Sequence, residues 1–271
     1  MAMQFPTARE QVLRSGETTI GVIPELSLVT HFQVGSWPVL YRPAQTGNVK
    51  RWGIPLMLPN FGRLPDGLFE EKGTTLPMHG FGRNLPWSVI QQDDRSIRFQ
   101  LNDSAETQAV FPYAFTFTAT IEAHEQTLTY TLVLENRSAE VMPLAPGFHP
   151  YFTVAQEEKS RLIVSGLNEF SPLEVEWATQ PPDVHYPFPH SVTVTVPSYG
   201  TFTIAEQPVN GRYLLAEMQV WSEPAAAPDH DFVCFEPIVA HEGGINRPAD
   251  RLNIAPHSSE TIVWQLSAQP R

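Results

Sequence analysis

One cysteine, Cys234, stands among 271 residues. An intramolecular disulfide is therefore impossible, and a multi-cysteine metal site is excluded. Lysine is nearly as scarce. Lys50, Lys72 and Lys159 are the only three, and the other basic residues are arginines. No run of Lys or Arg occurs, and 29 acids against 17 bases leave a formal charge of −12. That argues against a nucleic-acid or anionic-membrane partner, because both need clustered positive charge. Arginine suits bidentate contact with carboxylates, phosphates and sugar hydroxyls. No stretch approaches the roughly 18 apolar residues of a spanning helix. The opening MAMQFPTAREQ carries polar residues early and has no long apolar core, unlike a secretory signal. The expectation is a soluble cytoplasmic protein. Amphipathic helices of ordinary length are also missing, and a short turn near Arg9–Ser15 is the best helical candidate.

What the chain does have is alternation with a period of two. Phe115, Phe117, Ala119 and Ile121 alternate with Thr116, Thr118, Thr120 and Glu122. After Ala123-His124-Glu125-Gln126 the pattern resumes with Leu128, Tyr130, Leu132 and Leu134. This predicts a β-hairpin with one buried face. Similar strands are expected at Ile97–Leu101, Ser191–Val196, Thr201–Ala205 and Thr261–Ser267. The 26 prolines and 16 glycines are spread as turn punctuation rather than gathered into a linker. Pro181–Pro189 and Pro224–Pro228 read as long surface loops. One large all-β domain over residues 1–271 follows, a sandwich of two extended antiparallel sheets.

Two short segments can carry chemistry. In GFHPYF, at 147–152, Pro150 forbids a central-strand position and biases His149 towards an extended conformation. His149 is then expected at a strand end or bend, facing a cleft. A packed histidine among aromatics would look the same. FVCFEP, at 232–237, reads as a strand buried on both faces, with Glu236 where it emerges. A partly desolvated carboxylate there would gain proton affinity and could act as a base. The plain alternative is a solvated Glu at a strand end. MHGFGRNLPW, at 78–87, flanks Phe81 with two glycines and offers His79 and Arg83 to a ligand. PNFGRLPDG, at 59–67, offers Arg63 beside a turn at Pro65-Asp66-Gly67. In HEGGINRP the adjacent His241 and Glu242 make a poor chelate, since neighbours on a strand point to opposite faces. No metal site and no cofactor are expected.

Taken in order, PNFGR, MHGFGRNLPW, GFHPYF, FVCFEP and the closing APHSSETIVWQL at 255–266 resemble the aldose 1-epimerase (galactose mutarotase) superfamily. The HGF-x-R-x-x-x-W pattern resembles its glucose-6-phosphate 1-epimerase-like branch. The resemblance implies a large galactose mutarotase-like β-supersandwich. It implies His149 as general acid and Glu236 as general base, with Arg63 and His79 as substrate-binding positions. Arg83 would lie near the sugar or its phosphate. The Thr-Asp-Arg-x-Tyr-like segment expected after the His motif is not found between Val164 and Tyr199. Asp183 could substitute for its acid but is not counted among the site residues.

The activity so implied interconverts the α and β anomers of an aldohexose or hexose 6-phosphate. Glu236 would take the O1 proton while protonated His149 donates to the ring oxygen. The ring opens, C1–C2 rotates, and closure reverses both transfers. The acid role needs charged His149 near neutral pH, and a nearby carboxylate is expected to raise its pKa. The partner is a small sugar or sugar phosphate. The competing reading is a non-catalytic carbohydrate-binding β-sandwich, which predicts sugar binding without anomer exchange.

Overall fold

In a computed structural model of the chain, residues 9–43 and 51–271 are described. An eight-stranded antiparallel sheet forms one layer. From edge to edge it runs through Ile163–Ser165, Ser191–Val196, Gly200–Gln207, Ser259–Pro270, Thr127–Asn136, Phe115–His124, Ser96–Asn102 and Ser88–Gln92. Its middle six strands contain the expected hairpin and the expected strands at 97–101, 191–196, 201–205 and 261–267. The hairpin register sets Phe117 opposite Leu134, Ala119 opposite Leu132 and Ile121 opposite Tyr130. All six are fully buried, so alternation in the sequence becomes one apolar sheet face.

A second sheet runs in the order Asp183–Pro187, Glu217–Trp221, Phe232–Ile238, Gly147–Phe148 and Leu56–Met57, and Tyr151–Thr153 also pairs with Phe232–Ile238. One face of it packs on the large sheet. Phe148 meets Tyr130 and Trp264 at ring separations of 4.8 and 5.2 Å, and Phe152 stacks on Phe202 at 4.0 Å. Phe235 lies 6.1 Å from both Phe152 and Phe202. Residues one position along therefore face away from this core. They include His149, Tyr151, Cys234 and Glu236. A further four-stranded sheet spans Gln11–Ser15, Thr18–Ile23, Leu28–Val34 and Trp37–Pro38. The architecture is the expected all-β sandwich.

Two local expectations are corrected. The helical candidate near Arg9–Ser15 is a strand, Gln11–Ser15, paired in register with Thr18–Val22. So short a helix is marginal alone. The strand bonds its backbone to a neighbour and buries Leu13 completely. The one α-helix among the described residues is Ala105–Val110, capped reciprocally by Ser104 and Thr107. The Pro181–Pro189 loop contains a strand, Asp183–Pro187, which pairs with Glu217–Trp221. It is the edge of its sheet, where proline is tolerated because no second partner needs its N–H. Pro224–Pro228 is irregular, as expected. No helix among the described residues is long and apolar enough to cross a membrane.

Candidate active site

The two key motifs meet through strand register. Tyr151 pairs with Cys234, and Gly147 pairs with Ile238. Continued across the gap between them, this single register puts His149 directly opposite Glu236. The gap is chemical in origin. Pro150 and Pro237 lack an N–H, so neither can complete the ladder. The His149 N–H donates instead to the Pro55 carbonyl, at 3.0 Å. The strand also runs on past Glu236 to Ile238, buried throughout, so Glu236 sits within the strand and not where it emerges. On its other side Glu236 pairs with Gln219, and Gln219 pairs with His185. One row across four strands thus reads His149, Glu236, Gln219, His185. Gly147 makes room for it. A Cβ there would fall 2.5 Å from Ile238 Cγ2 and 3.1 Å from Met57 Cε.

His149 Nδ1 and Glu236 Oε1 are 3.5 Å apart. They touch, yet His149 Nδ1 and Glu236 Oε2 are buried with no hydrogen-bond partner in the protein. The electrostatics differ from the sequence expectation. Burial, followed by the fields of His79 and Arg83, pushes the His149 pKa well below the ordinary imidazole value. Burial, aided by the negative charge of Asp183 and opposed by Arg83, pushes Glu236 well above the ordinary carboxylate value. Glu236 does not raise His149, because desolvation drives Glu236 towards its own neutral form. Burial therefore disfavours the charged form of both partners. A single proton on either member would leave one donor and one acceptor.

His79, Arg83 and Arg63 line the same cleft of about 1080 Å³ as His149 and Glu236. His79 is held in the left-handed region at φ 61°. Its Nδ1 accepts the Gly62 N–H at 3.0 Å, and its own N–H donates to the Gly62 carbonyl at 2.8 Å. This binds the 59–67 and 78–87 segments together and leaves Nε2–H as the only N–H of the neutral ring. Burial and nearby Arg83 lower the His79 pKa to about 3. The ring meets His149 edge-on at 5.5 Å. Gly80 allows the close approach, since a Cβ would fall 2.1 Å from the Leu58 carbonyl oxygen. Arg83 is pulled below its ordinary value by burial, and the fields of Tyr151 and Glu236 oppose this. Its Nε has no hydrogen-bond partner in the protein. Arg63 is exposed. Its backbone N–H donates to Glu242 Oε1 at 2.7 Å.

Several cleft residues were not counted among the site residues from sequence. Asp183, passed over there, lines the cleft and accepts from Gln219 Nε2 at 2.6 Å. Burial first, then the charge of Glu242, raises its pKa. Gln219 is a buried polar residue between apolar Met218 and Val220, and that interruption was a usable signal. Tyr151 stacks on the His149 ring at 4.7 Å, and Trp221 stands edge-on to it at 5.7 Å. Arg51, His185, His241 and Arg247 complete the basic lining.

A β-sandwich with this cleft is a galactose mutarotase-like fold. The structure of the Slr1438 protein from Synechocystis sp. PCC 6803 superimposes with a TM-score of 0.86 at 21% identity, covering 97% of this chain and 96% of that one. A structure titled as a putative aldose 1-epimerase from Escherichia coli K12 gives 0.77 at 17% identity, covering 97% and 99%. The family model for aldose 1-epimerase matches residues 38–199, and the chain belongs to that family. A Salmonella typhimurium protein named "Putative glucose-6-phosphate 1-epimerase" is 30% identical over 131 residues, 47% of this chain. The match spans only 40% of that relative's length. "Uncharacterized protein YphB" of Escherichia coli K12 is 27% identical over 216 residues, 71% of each chain. The resemblance carried by the five motifs, to the superfamily and its glucose-6-phosphate 1-epimerase-like branch, is borne out.

Proposed function

We propose that this protein is a sugar 1-epimerase that interconverts the anomers of an aldohexose or hexose 6-phosphate by acid–base ring opening. The observation that carries this reading is the His149–Glu236 contact at 3.5 Å on the cleft floor, with buried, unpartnered polar atoms on both residues. Such atoms are unfavourable unless a ligand satisfies them. A cyclic hemiacetal does so with its O1 hydroxyl and ring oxygen. His149 delivers a proton to the ring oxygen, Glu236 takes the O1 proton, and closure on the other face of C1 reverses both. Ring opening requires one donor and one acceptor, and the pair offers both in these roles once its single proton, which burial favours on Glu236, has moved to His149. His79 Nε2–H and the Asp183 carboxylate are in reach of sugar hydroxyls along the cleft wall.

Phosphorylation of the substrate is the finer part of the proposal. Four arginines line the cleft. Arg51 is engaged by Glu223 at 2.5 Å, and Arg247 by Asp250 at 2.5 Å. Arg63 and Arg83 form no ion pair with any described carboxylate, so both guanidiniums are available to a phosphate. The name of the Salmonella relative is consistent with such a substrate.

The test is NMR exchange spectroscopy between the anomers of glucose, galactose and glucose 6-phosphate, with and without protein. Acceleration is expected, and it should fall by at least about 10²-fold in His149→Ala and in Glu236→Gln, the scale of one positioned proton transfer. Full activity in either variant would sink the assignment. Sugar binding with no acceleration on any of the three would make the protein a carbohydrate-binding module.

A further inference from the structure

His241 and Glu242 are sequence neighbours that the fold separates. The Glu242 carboxylate turns to the Arg63 N–H. His241 turns the other way, and its Nδ1 lies 2.9 and 3.0 Å from the two oxygens of Glu217. Glu217 pairs with Pro187 across the sheet. His185, two residues before Pro187, therefore lies diagonally from it on the same face. Its Nε2 is 3.9 Å from Glu217 Oε2. The two imidazoles stack at 4.3 Å, only 9° from parallel, over one carboxylate.

We propose that His185, Glu217 and His241 form a binding site for a zinc-type divalent cation at the rim of the cleft. Their donor atoms all lie within 4.8 Å of one another. Tetrahedral zinc with bonds of about 2.0–2.1 Å holds its ligand atoms roughly 3.3 Å apart. The observed 2.9 and 3.9 Å lie either side of that, and the two rings, stacked and nearly parallel without the ion, must splay for their in-plane lone pairs to converge on it. Two imidazoles and one carboxylate favour zinc and the late first-row divalent metals over magnesium or calcium, which take all-oxygen shells. Three protein ligands leave a fourth position open. Both histidines line the cleft, so that position faces it and takes water or an anionic oxygen. The backbone behind His241 is pinned. Arg247 donates to the Glu242 carbonyl at 2.9 Å and the His241 carbonyl at 3.3 Å, and Gly244 N–H donates to the His241 carbonyl at 2.8 Å. The histidines are accessible, with side chains 47% and 36% exposed.

A second donor set, His149, Cys234 and Glu236, is equally compact but fully buried within the proposed catalytic pair. Cobalt separates the two, because only the buried set contains a thiol. Chelator-treated full-length protein is titrated with zinc chloride by calorimetry and with cobalt chloride by visible absorption. The expected result is one zinc site with Kd of about 10 μM or tighter, weakened at least about tenfold in His185→Gln and in His241→Gln. Cobalt should give four-coordinate d–d bands with no thiolate charge-transfer band. Coincident thermal melts of the metal-free variants check that each still folds. Absent saturable binding, unchanged affinity in both variants, or a thiolate band that disappears in Cys234→Ser would each overturn the proposal. The outcome is independent of anomer exchange, so the two readings can fail separately.

Discussion

His79 makes the stability of the fold depend on pH in a way one substitution can isolate. Its pKa is lowered to about 3 in the folded protein, against about 6.5 in an unfolded chain. The folded pKa is the lower one, so the unfolded state binds the extra proton. The contribution is fully present above pH 6.5 and is lost progressively as pH falls towards 3. Between pH 7.5 and 4.5 the loss is about two units at 1.36 kcal/mol each, or about 2.7 kcal/mol. This figure barely depends on the folded value, provided that value lies about a unit or more below 4.5. The control is His79→Asn. Asn tolerates the left-handed backbone, and its Oδ1 can take the place of Nδ1 as acceptor for the Gly62 N–H without titrating. Urea unfolding of both proteins at pH 7.5 and 4.5 gives the comparison. The wild type should lose about 2.7 kcal/mol more than the variant between the two pH values. Equal losses would refute the claim that burial and nearby Arg83 hold His79 neutral.

Three further outcomes are expected. Activity needs exactly one proton on the His149–Glu236 pair, and a second must charge His149 against burial. The acid limb of kcat/KM should therefore lie below the ordinary imidazole value of about 6.5, and a limb at or above it would contradict the desolvation argument. Arg83→Ala should weaken glucose 6-phosphate far more than glucose in the exchange assay, whereas equal loss would remove its phosphate role. Gly147→Ala should destabilise by about 1–3 kcal/mol, as overpacking does, because the new methyl meets Ile238; an unchanged urea midpoint would mean the cleft floor yields.

The large sheet was legible because its strands are half-buried. Thr116, Thr120 and Glu122 face outwards, and Phe117, Ala119 and Ile121 face inwards, so period two is written into the residue types. The second sheet was harder to read. Phe232–Ile238 is buried on both faces and shows no alternation, so from sequence the strand reads as emerging at Glu236, two residues too early. Asp183–Pro187 is an edge strand with almost every residue exposed, and Pro187 with the prolines flanking the strand looks like loop chemistry. That misreading also hid His185 and left Asp183 uncounted, since their value lies in the sheet face they share. His149, Glu236, His79, Arg83 and Arg63 were visible because each sits beside a Gly or Pro that constrains the backbone. The direction of the pKa shift at His149 was not visible. It depends on burial, which adjacent residues do not report.

The placement of the pair on a sheet face, and not on a flexible loop, explains its unsatisfied state. Strand spacing of about 4.8 Å sets how near cross-strand partners come. His149 and Glu236 are directly opposite, so backbone geometry brings them into contact at 3.5 Å without completing a hydrogen bond. On a mobile loop the two would close on each other and satisfy their own lone pairs. Here the strands are fixed from behind by Phe148 and Phe235, packed on Trp264 and Phe202. That core carries the free-energy cost of leaving buried polar atoms unpaired, which is about 1–3 kcal/mol for each. Pro150 and Pro237 contribute by having no N–H, so the backbone at the pair presents fewer donors to compete for the Glu236 oxygens. The proton affinity of the site is thereby kept for whatever enters the cleft.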